Sequence, residues 1–144
     1  MTSNAISALF DVNVWLALAA DNHRHYRAAH AALPDLPAPV FCRFTQAGFL
    51  RLLTNSHAMG RNTCTPAQAW SLYEKIFQSL EASFEEEPSG LEHQWRAFVT
   101  KSERTSGSAW NDAYLAAFAL RAGMPLVTFD RGFNNFPGLD CRVL

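Results

Sequence analysis

The feature that most constrains the fold is a set of short apolar runs that alternate with segments of helical character. Three of these runs cover residues 6–10, 40–42 and 125–129, and each is too short to form a buried helix. Short buried strands that alternate with helices are typical of a parallel sheet covered on both faces. The sequence therefore predicts an α/β fold, a three-layer sandwich with a short, mainly parallel central sheet flanked by helices.

Helix signals occupy the segments between these runs. Residues 65–68 form a capping box with proline in the first helical position, and Ser89 with Glu92 repeats the spacing of cap and acid. Gly123 is predicted to end the last helix as a left-handed cap. Prolines break the chain at 34–39, and a polar loop covers 104–108. The predicted helices are 12–20, 26–33, 45–55 with Thr45 as cap, one beginning at 66, one after Ser89 that ends near 101, and 109–122, with further short strands at 83–85 and 141–144.

Composition limits the class of protein. A chain of 144 residues with 49% hydrophobic and 17% charged residues has enough apolar material for one core, so we expect a single domain over residues 1–144. The net charge of −1 excludes a broad polybasic surface. No apolar run is long enough to span a bilayer, and the first residues lack a basic signal-peptide start, so we expect a cytosolic protein with reduced cysteines.

Three aspartates stand at positions where a parallel sheet forms ligand sites. Asp11 and Asp130 each follow an apolar strand, and Asp112 lies in the first turn of an otherwise apolar helix. A single aspartate at such a position is usually a helix or turn cap, but the carboxyl ends of parallel strands meet at one edge. Carboxylates gathered there repel one another unless a cation neutralises them. Oxygen ligands without nearby histidine or cysteine favour Mg²⁺ or Mn²⁺.

Four segments of the chain resemble those of a known family. Together they span nearly the whole sequence in the order that the family shows, and the pattern is similar to PIN-domain ribonucleases, specifically the VapC-type toxins of toxin–antitoxin pairs. The segments are FDVNVWLAL (10–18), RFTQAGFLRLLT (43–54), WNDAYLAAFA (110–119) and LVTFDRGF (126–133).

This resemblance implies a PIN-like sandwich, a site for one or two divalent ions, and hydrolysis of RNA phosphodiester bonds. It also implies a homodimer and neutralisation by a VapB-type antitoxin. By position, Asp11, Asp112 and Asp130 match the family's catalytic and metal-binding acids. Asn13 and Thr128 match polar positions that support those acids or bound water.

One position departs from the family pattern. Many PIN nucleases carry glutamate where this chain has Gln46, and an amide keeps a carbonyl ligand but removes one negative charge. Whether Gln46 binds metal, orients water or only bonds to an aspartate stays open. The alternative function is a PIN module that binds RNA or antitoxin with weak cleavage or none.

Several other side chains are candidates for contact with RNA or a partner. Arg43 and Arg51 flank Gln46 and suit either phosphate contacts or surface salt bridges. The tryptophans are predicted mainly in the core or in a dimer interface, although Trp110 stands two residues before Asp112 and suits a pocket wall. The acidic run 85–87 is predicted to be a solvated rim, because consecutive strand residues point to opposite faces.

Overall fold

The five strands form one parallel sheet in the order β3-β2-β1-β4-β5. This computed structural model describes residues 5–101 and 106–144, and the predicted α/β fold is confirmed. The expected loop at 104–108 lies partly outside the described residues, because 104 and 105 are not among them. The strands are β1 (Ser7–Phe10), β2 (Ala38–Phe41), β3 (Ser83–Phe84), β4 (Leu126–Thr128) and β5 (Cys141–Val143).

Helices cover both faces of the sheet. None of the helices in the described part of the chain is long and apolar enough to cross a membrane. Short 3-10 helices cover Leu33–Asp35, Gly60–Asn62 and Arg131–Asn135. The α-helices are α1 (Val12–Ala19), α2 (Tyr26–Ala32), α3 (Arg43–Leu53), α4 (Ser56–Met59), α5 (Pro66–Ser79), α6 (Leu91–Thr100) and α7 (Gly107–Ala122).

Alternate residues of the central strands enter two separate cores. One core lies against α1, α2, α3 and α5, and the other lies against α6 and α7. Side chains of a strand alternate between faces, so a continuous apolar run supplies both cores, and the three predicted layers follow. The first core takes Ala8, Phe10, Phe41 and Val127 from the strands, and the second takes Leu9, Val40 and Leu126.

Strand β2 begins two residues earlier than the sequence predicts and contains Pro39. Ala38 donates its N–H to the carbonyl of Ile6 across 3.0 Å, so the alternation of the backbone turns the nitrogen of Pro39 away from β1. On that other side the short β3 pairs only with Val40 and Phe41. Proline is therefore tolerated in this inner strand, because β3 does not extend to the position where Pro39 lacks an N–H donor.

Two predicted helix starts are wrong. Helix α3 is capped by Cys42 instead of Thr45. Thr45 is the third residue of the helix, and its hydroxyl accepts the N–H of Cys42 across 2.9 Å. Helix α6 is capped by Gly90 in the left-handed conformation (φ 77°) instead of by Ser89. The predicted box at 65–68 and the Gly123 cap (φ 70°) are confirmed.

Gly48 allows α3 to pack closely against the start of α1. A Cβ atom at this position would lie 2.9 Å from Cγ2 of Val12, closer than carbon atoms approach. Valine has little freedom at χ1 in a helix, so Val12 has no easy way to move aside. Val12 directly follows Asp11, and this contact therefore fixes where β1 passes into α1.

We predict that Gly48→Ala destabilises the protein by about 1–2 kcal/mol, because overpacking costs more than the helix propensity of alanine returns. The measurement is the urea midpoint of unfolding. The matched control is Gly107→Ala, since a Cβ there meets nothing within 4 Å. Equal or greater stability of Gly48→Ala would contradict the close approach.

Candidate active site

Asp11 and Asp130 follow neighbouring parallel strands and lie at the same edge of the sheet. Strands β1 and β4 pair with Phe10 opposite Val127, and the N–H of Asp11 donates to the carbonyl of Val127 across 2.9 Å. The sequence predicted this shared edge. Each aspartate also caps the helix that follows, since Asp11 accepts from the Val12 N–H at 2.7 Å and Asp130 from the Gly132 N–H at 2.8 Å.

Thr128 connects the two aspartates through one hydroxyl group. Its Oγ1 donates to Oδ2 of Asp11 across 2.8 Å and accepts the backbone N–H of Asp130 across 3.0 Å. Thr128 is fully buried, so no water competes for either bond. The hydroxyl therefore fixes the orientation of the Asp11 carboxylate relative to the loop that carries Asp130.

Asp11 is a buried carboxylate, with only 9% of its surface exposed. Burial raises its pKa above the ordinary value, and the negative charges of Asp112 and Asp130 raise it further, while the bonds from Thr128 and Val12 oppose the rise. Asp112 and Asp130 therefore lie close enough to Asp11 for their charges to act on its carboxylate. An ionised Asp11 is therefore unfavourable at this edge unless a cation lies nearby.

Asp112 lies in the second turn of its helix, not in the first as predicted. Helix α7 begins at Gly107, so Asp112 is its sixth residue, where the helix dipole has little effect. Its side chain is half-buried. Within residues 5–101 and 106–144, the structure shows no group of three histidine, cysteine, aspartate or glutamate side chains arranged to hold a metal ion.

Gln46, the amide predicted to support the site, forms its hydrogen bonds on the side of α3 that faces α5. Gln46 is buried, accepts a hydrogen bond from the Arg43 guanidinium at 2.5 Å, and is bonded to the phenol of Tyr73. Tyr73 was absent from the sequence prediction, because no local pattern links residues of different helices. Asn13 has an exposed side chain on α1, and neither residue is bonded to the aspartates among the described contacts.

The two predicted phosphate contacts lie at opposite ends of α3. Arg43 is its first residue and packs over the ring of Phe84 at 4.7 Å, and Arg51 lies exposed in the last turn. In the part of the chain that the structure describes, neither arginine forms a salt bridge with a carboxylate. Arg43 borders a cavity of about 470 Å³, whereas Arg51 lies beside a smaller cavity of about 190 Å³ between α3 and α5.

Comparison with known proteins identifies the family to which the chain belongs. A family model described as the PIN domain matches residues 8–139, so the chain belongs to the PIN-domain family. Within that family it belongs with the VapC ribonucleases. It is 43% identical to "Ribonuclease VapC41" of Mycobacterium tuberculosis, with 94% of this chain and 97% of the relative covered, and 31% identical to "Ribonuclease VapC43" of the same species, with 92% and 91% covered.

Solved structures share the fold at much lower identity. VapBC2 of Rickettsia felis, bound to a promoter DNA fragment, matches with a TM-score of 0.69 at 13% identity, covering 95% of this chain and 98% of that chain. VapC20 of Mycobacterium tuberculosis, described as a Sarcin-Ricin loop cleaving toxin, matches with a TM-score of 0.66 at 17% identity, covering 94% and 98%. The predicted PIN-like sandwich is confirmed.

The raised pKa of Asp11 predicts how stability depends on pH in EDTA. The folded chain holds this proton more tightly than the unfolded chain, whose pKa is near 3.8. The stabilisation is therefore complete below that value and is lost as pH rises through the raised folded pKa. We expect wild type to lose more stability than Asp11→Asn between pH 4 and 7.5, measured by thermal unfolding. Asp35→Asn, at an exposed site, is the control and should follow wild type.

Thr128→Val should retain the shape of the site but release the Asp11 carboxylate. The change leaves the Asp11 Oδ2 and the Asp130 N–H without their buried partner, so we expect a loss of about 1–3 kcal/mol. Thr128→Ser keeps the hydroxyl and should recover most of this loss. The measurement is chemical denaturation, and equal stability of the valine and serine variants would contradict the bridging role.

Proposed function

We propose that this protein is a metal-dependent endoribonuclease that acts as the toxin of a toxin–antitoxin pair. The observation that carries the proposal is the edge where Thr128 joins Asp11 to Asp130 while Asp112 adds its charge. Membership of the PIN family and sequence similarity to two named VapC ribonucleases support the same activity.

We propose Mg²⁺ or Mn²⁺ as the cofactor, because the donors at this edge fit a hard divalent ion. Asp11, Asp112 and Asp130 supply only carboxylate oxygens. Burial and then the charges of the other two aspartates raise the pKa of Asp11, and a cation would offset both effects by stabilising the ionised carboxylate. When bound, such an ion polarises a phosphate and lowers the pKa of a water molecule. The site as described contains no preassembled group of three ligands, so Asp112 and Asp130 would complete it when the ion binds.

The residues around the acids would orient the substrate. Thr128 holds the Asp11 carboxylate in one direction, and Asn13, which is exposed at the start of α1, would bond water or phosphate. Arg43 at the start of α3 would contact a phosphate of the RNA, and Arg51 would contact the chain further away. Hydrolysis would leave a 5′-phosphate and a 3′-hydroxyl end.

Gln46 is proposed as a support for this arrangement instead of a metal ligand. Its carbonyl oxygen accepts from Arg43, and its bond to Tyr73 joins α3 to α5. Both contacts orient Arg43 and the helix that carries it. Gln46 lacks the negative charge of the glutamate that many PIN nucleases carry here, so we expect a lower affinity for the metal ion. The cleavage assay distinguishes an active toxin from a module that does not cleave RNA.

The partners are proposed from the family. Structural neighbours include VapBC complexes from Rickettsia felis and Salmonella typhimurium, and by analogy a VapB-type antitoxin would neutralise this chain. We further propose a homodimer, to which the exposed Trp70 on α5 would contribute apolar surface. Because RNA substrates are made and used in the cytoplasm, we propose that the protein acts there.

Asp112→Asn is predicted to lower RNA cleavage by at least 100-fold, because it removes a charge needed to hold the ion. The thermal midpoint should stay within a few degrees, since Asp112 is half-buried at the edge. The measurement is the appearance of cut ends on labelled total RNA with Mg²⁺ or Mn²⁺, and Asp35→Asn is the matched control.

Two results would contradict this mechanism. One is cleavage by Asp112→Asn at the rate of wild type, and the other is full activity of wild type in excess EDTA. Retention of RNA without any product in either metal would instead support the non-cleaving module.

A further inference from the structure

A cavity of about 470 Å³ lies at the same edge of the sheet as the three aspartates. Its lining includes Asn111, which directly precedes Asp112, and residues 85–87, which follow the carboxyl end of β3. Because β3 is parallel to β1 and β4 through the sheet, this cavity and the acids open at the same carboxyl edge. A ligand could thus contact both.

Aromatic side chains predominate among the described residues that line this cavity. Trp95 donates its indole N–H to the carbonyl of Trp110 across 3.1 Å, and the two rings meet edge-on with centroids 6.0 Å apart. Tyr114 lies 5.4 Å from Trp95 and 5.1 Å from Phe44. Trp110 itself is 55% exposed, although large apolar side chains are usually covered. The exposed ring of Trp110, whose backbone carbonyl is held by Trp95, is therefore an apolar platform at this cavity.

Carboxylates stand beside this platform, and one of them is held in place. Glu85, Glu86 and Glu87 line the cavity, and the hydroxyl of Tyr114 donates to Oε1 of Glu87 across 2.9 Å. Burial, and then the bond to Glu87, raise the pKa of Tyr114, so the phenol keeps its proton and the bond persists at neutral pH. A carboxylate only accepts hydrogen bonds. The platform is therefore suited to a flat ligand whose edge carries N–H donors.

Arg43 is the one cation among the described residues that line this cavity, and it stands beside the three glutamates. The guanidinium of Arg43 packs over Phe84 at 4.7 Å, and Phe84 and Arg43 both line the cavity. This charge attracts a phosphate and repels a second guanidinium or ammonium group. A basic peptide side chain would match the glutamates but not Arg43, whereas a nucleotide offers an aromatic ring, N–H donors and an anionic phosphate in one unit.

We propose that this cavity binds one unpaired guanine of the RNA, stacked on Trp110 with its donor edge toward Glu87, and so selects the cleavage site. Guanine is the base with two adjacent N–H donors on its pairing edge, which match the two oxygens of a carboxylate. Adenine and cytosine place a ring nitrogen acceptor next to their amino group, and uracil has one N–H between two carbonyls. The inference rests on the proposed ribonuclease activity, because the base belongs to the substrate.

The test measures binding without cleavage. The full chain with Asp112→Asn is mixed in EDTA with fluorescein-labelled oligouridine of eight nucleotides that carries one central guanosine, and anisotropy gives Kd. Replacing guanosine by inosine removes one donor and should weaken binding roughly tenfold. Replacing it by 7-deazaguanosine leaves the donor edge intact and should change Kd less than about twofold.

Side-chain variants separate the hydrogen bonds to Glu87 from the stacking on Trp110. In the Asp112→Asn background, Glu87→Gln should bring the Kd values for guanosine and inosine within about twofold of each other, while Trp110→Ala should weaken both roughly tenfold, since stacking ignores base identity. Trp110→Phe should restore binding. The control is Glu74→Gln, at an exposed position of α5 outside the cavity, and it should match the parent.

Equal affinity for guanosine and inosine would overturn the proposal, and so would displacement of the probe by arginine amide but not by guanosine monophosphate. The failure of this inference differs from failure of the proposed function. Metal-dependent cleavage by wild type that is indifferent to inosine overturns only the guanine site. Selective guanosine binding by a chain that never cuts RNA supports the guanine site and rejects the nuclease.

Discussion

The hydroxyl of Thr128 is the interaction on which the arrangement of the acidic edge depends. It is buried, it donates to Asp11, and it accepts the backbone N–H of Asp130. One side chain thereby links the ends of two neighbouring strands and fixes a carboxylate whose burial raises its pKa. A buried charge next to other charges is unfavourable by itself, so the stability of the rest of the fold must hold this carboxylate in place.

The two cores position different parts of the proposed site. The core on the α1, α3 and α5 side sets the start of α1 through the close approach of Gly48 to Val12, and Gln46 joins Arg43 to Tyr73 on that side. The core on the α6 and α7 side carries Asp112 and the aromatic cavity. The three aspartates of the proposed site thus come from two strand ends and from α7, and they approach one another at the carboxyl edge of the sheet.

Prediction from the sequence succeeded where the signal is local or periodic. The capping box at 65–68 and the glycine cap at 123 are confirmed, since each depends on residues within one turn. It was wrong for the caps of α3 and α6, where Cys42 and Gly90 take the place of Thr45 and Ser89. At these helix starts, the path of the preceding strand or loop decides which residue becomes the N-cap. That path depends on tertiary packing.

By itself, the sequence determined the strand–helix alternation, the parallel sheet and the placement of Asp11 and Asp130 at one edge. These features follow from the periodicity of apolar residues and from the direction of the chain, and both depend only on the order of the residues. Only the tertiary structure decided that Thr128 bridges these acids, that Gln46 is bonded to Arg43 and Tyr73, and that Trp110 shares a cavity with Glu87. Such contacts join residues far apart in the chain, and the distance between them is set by packing.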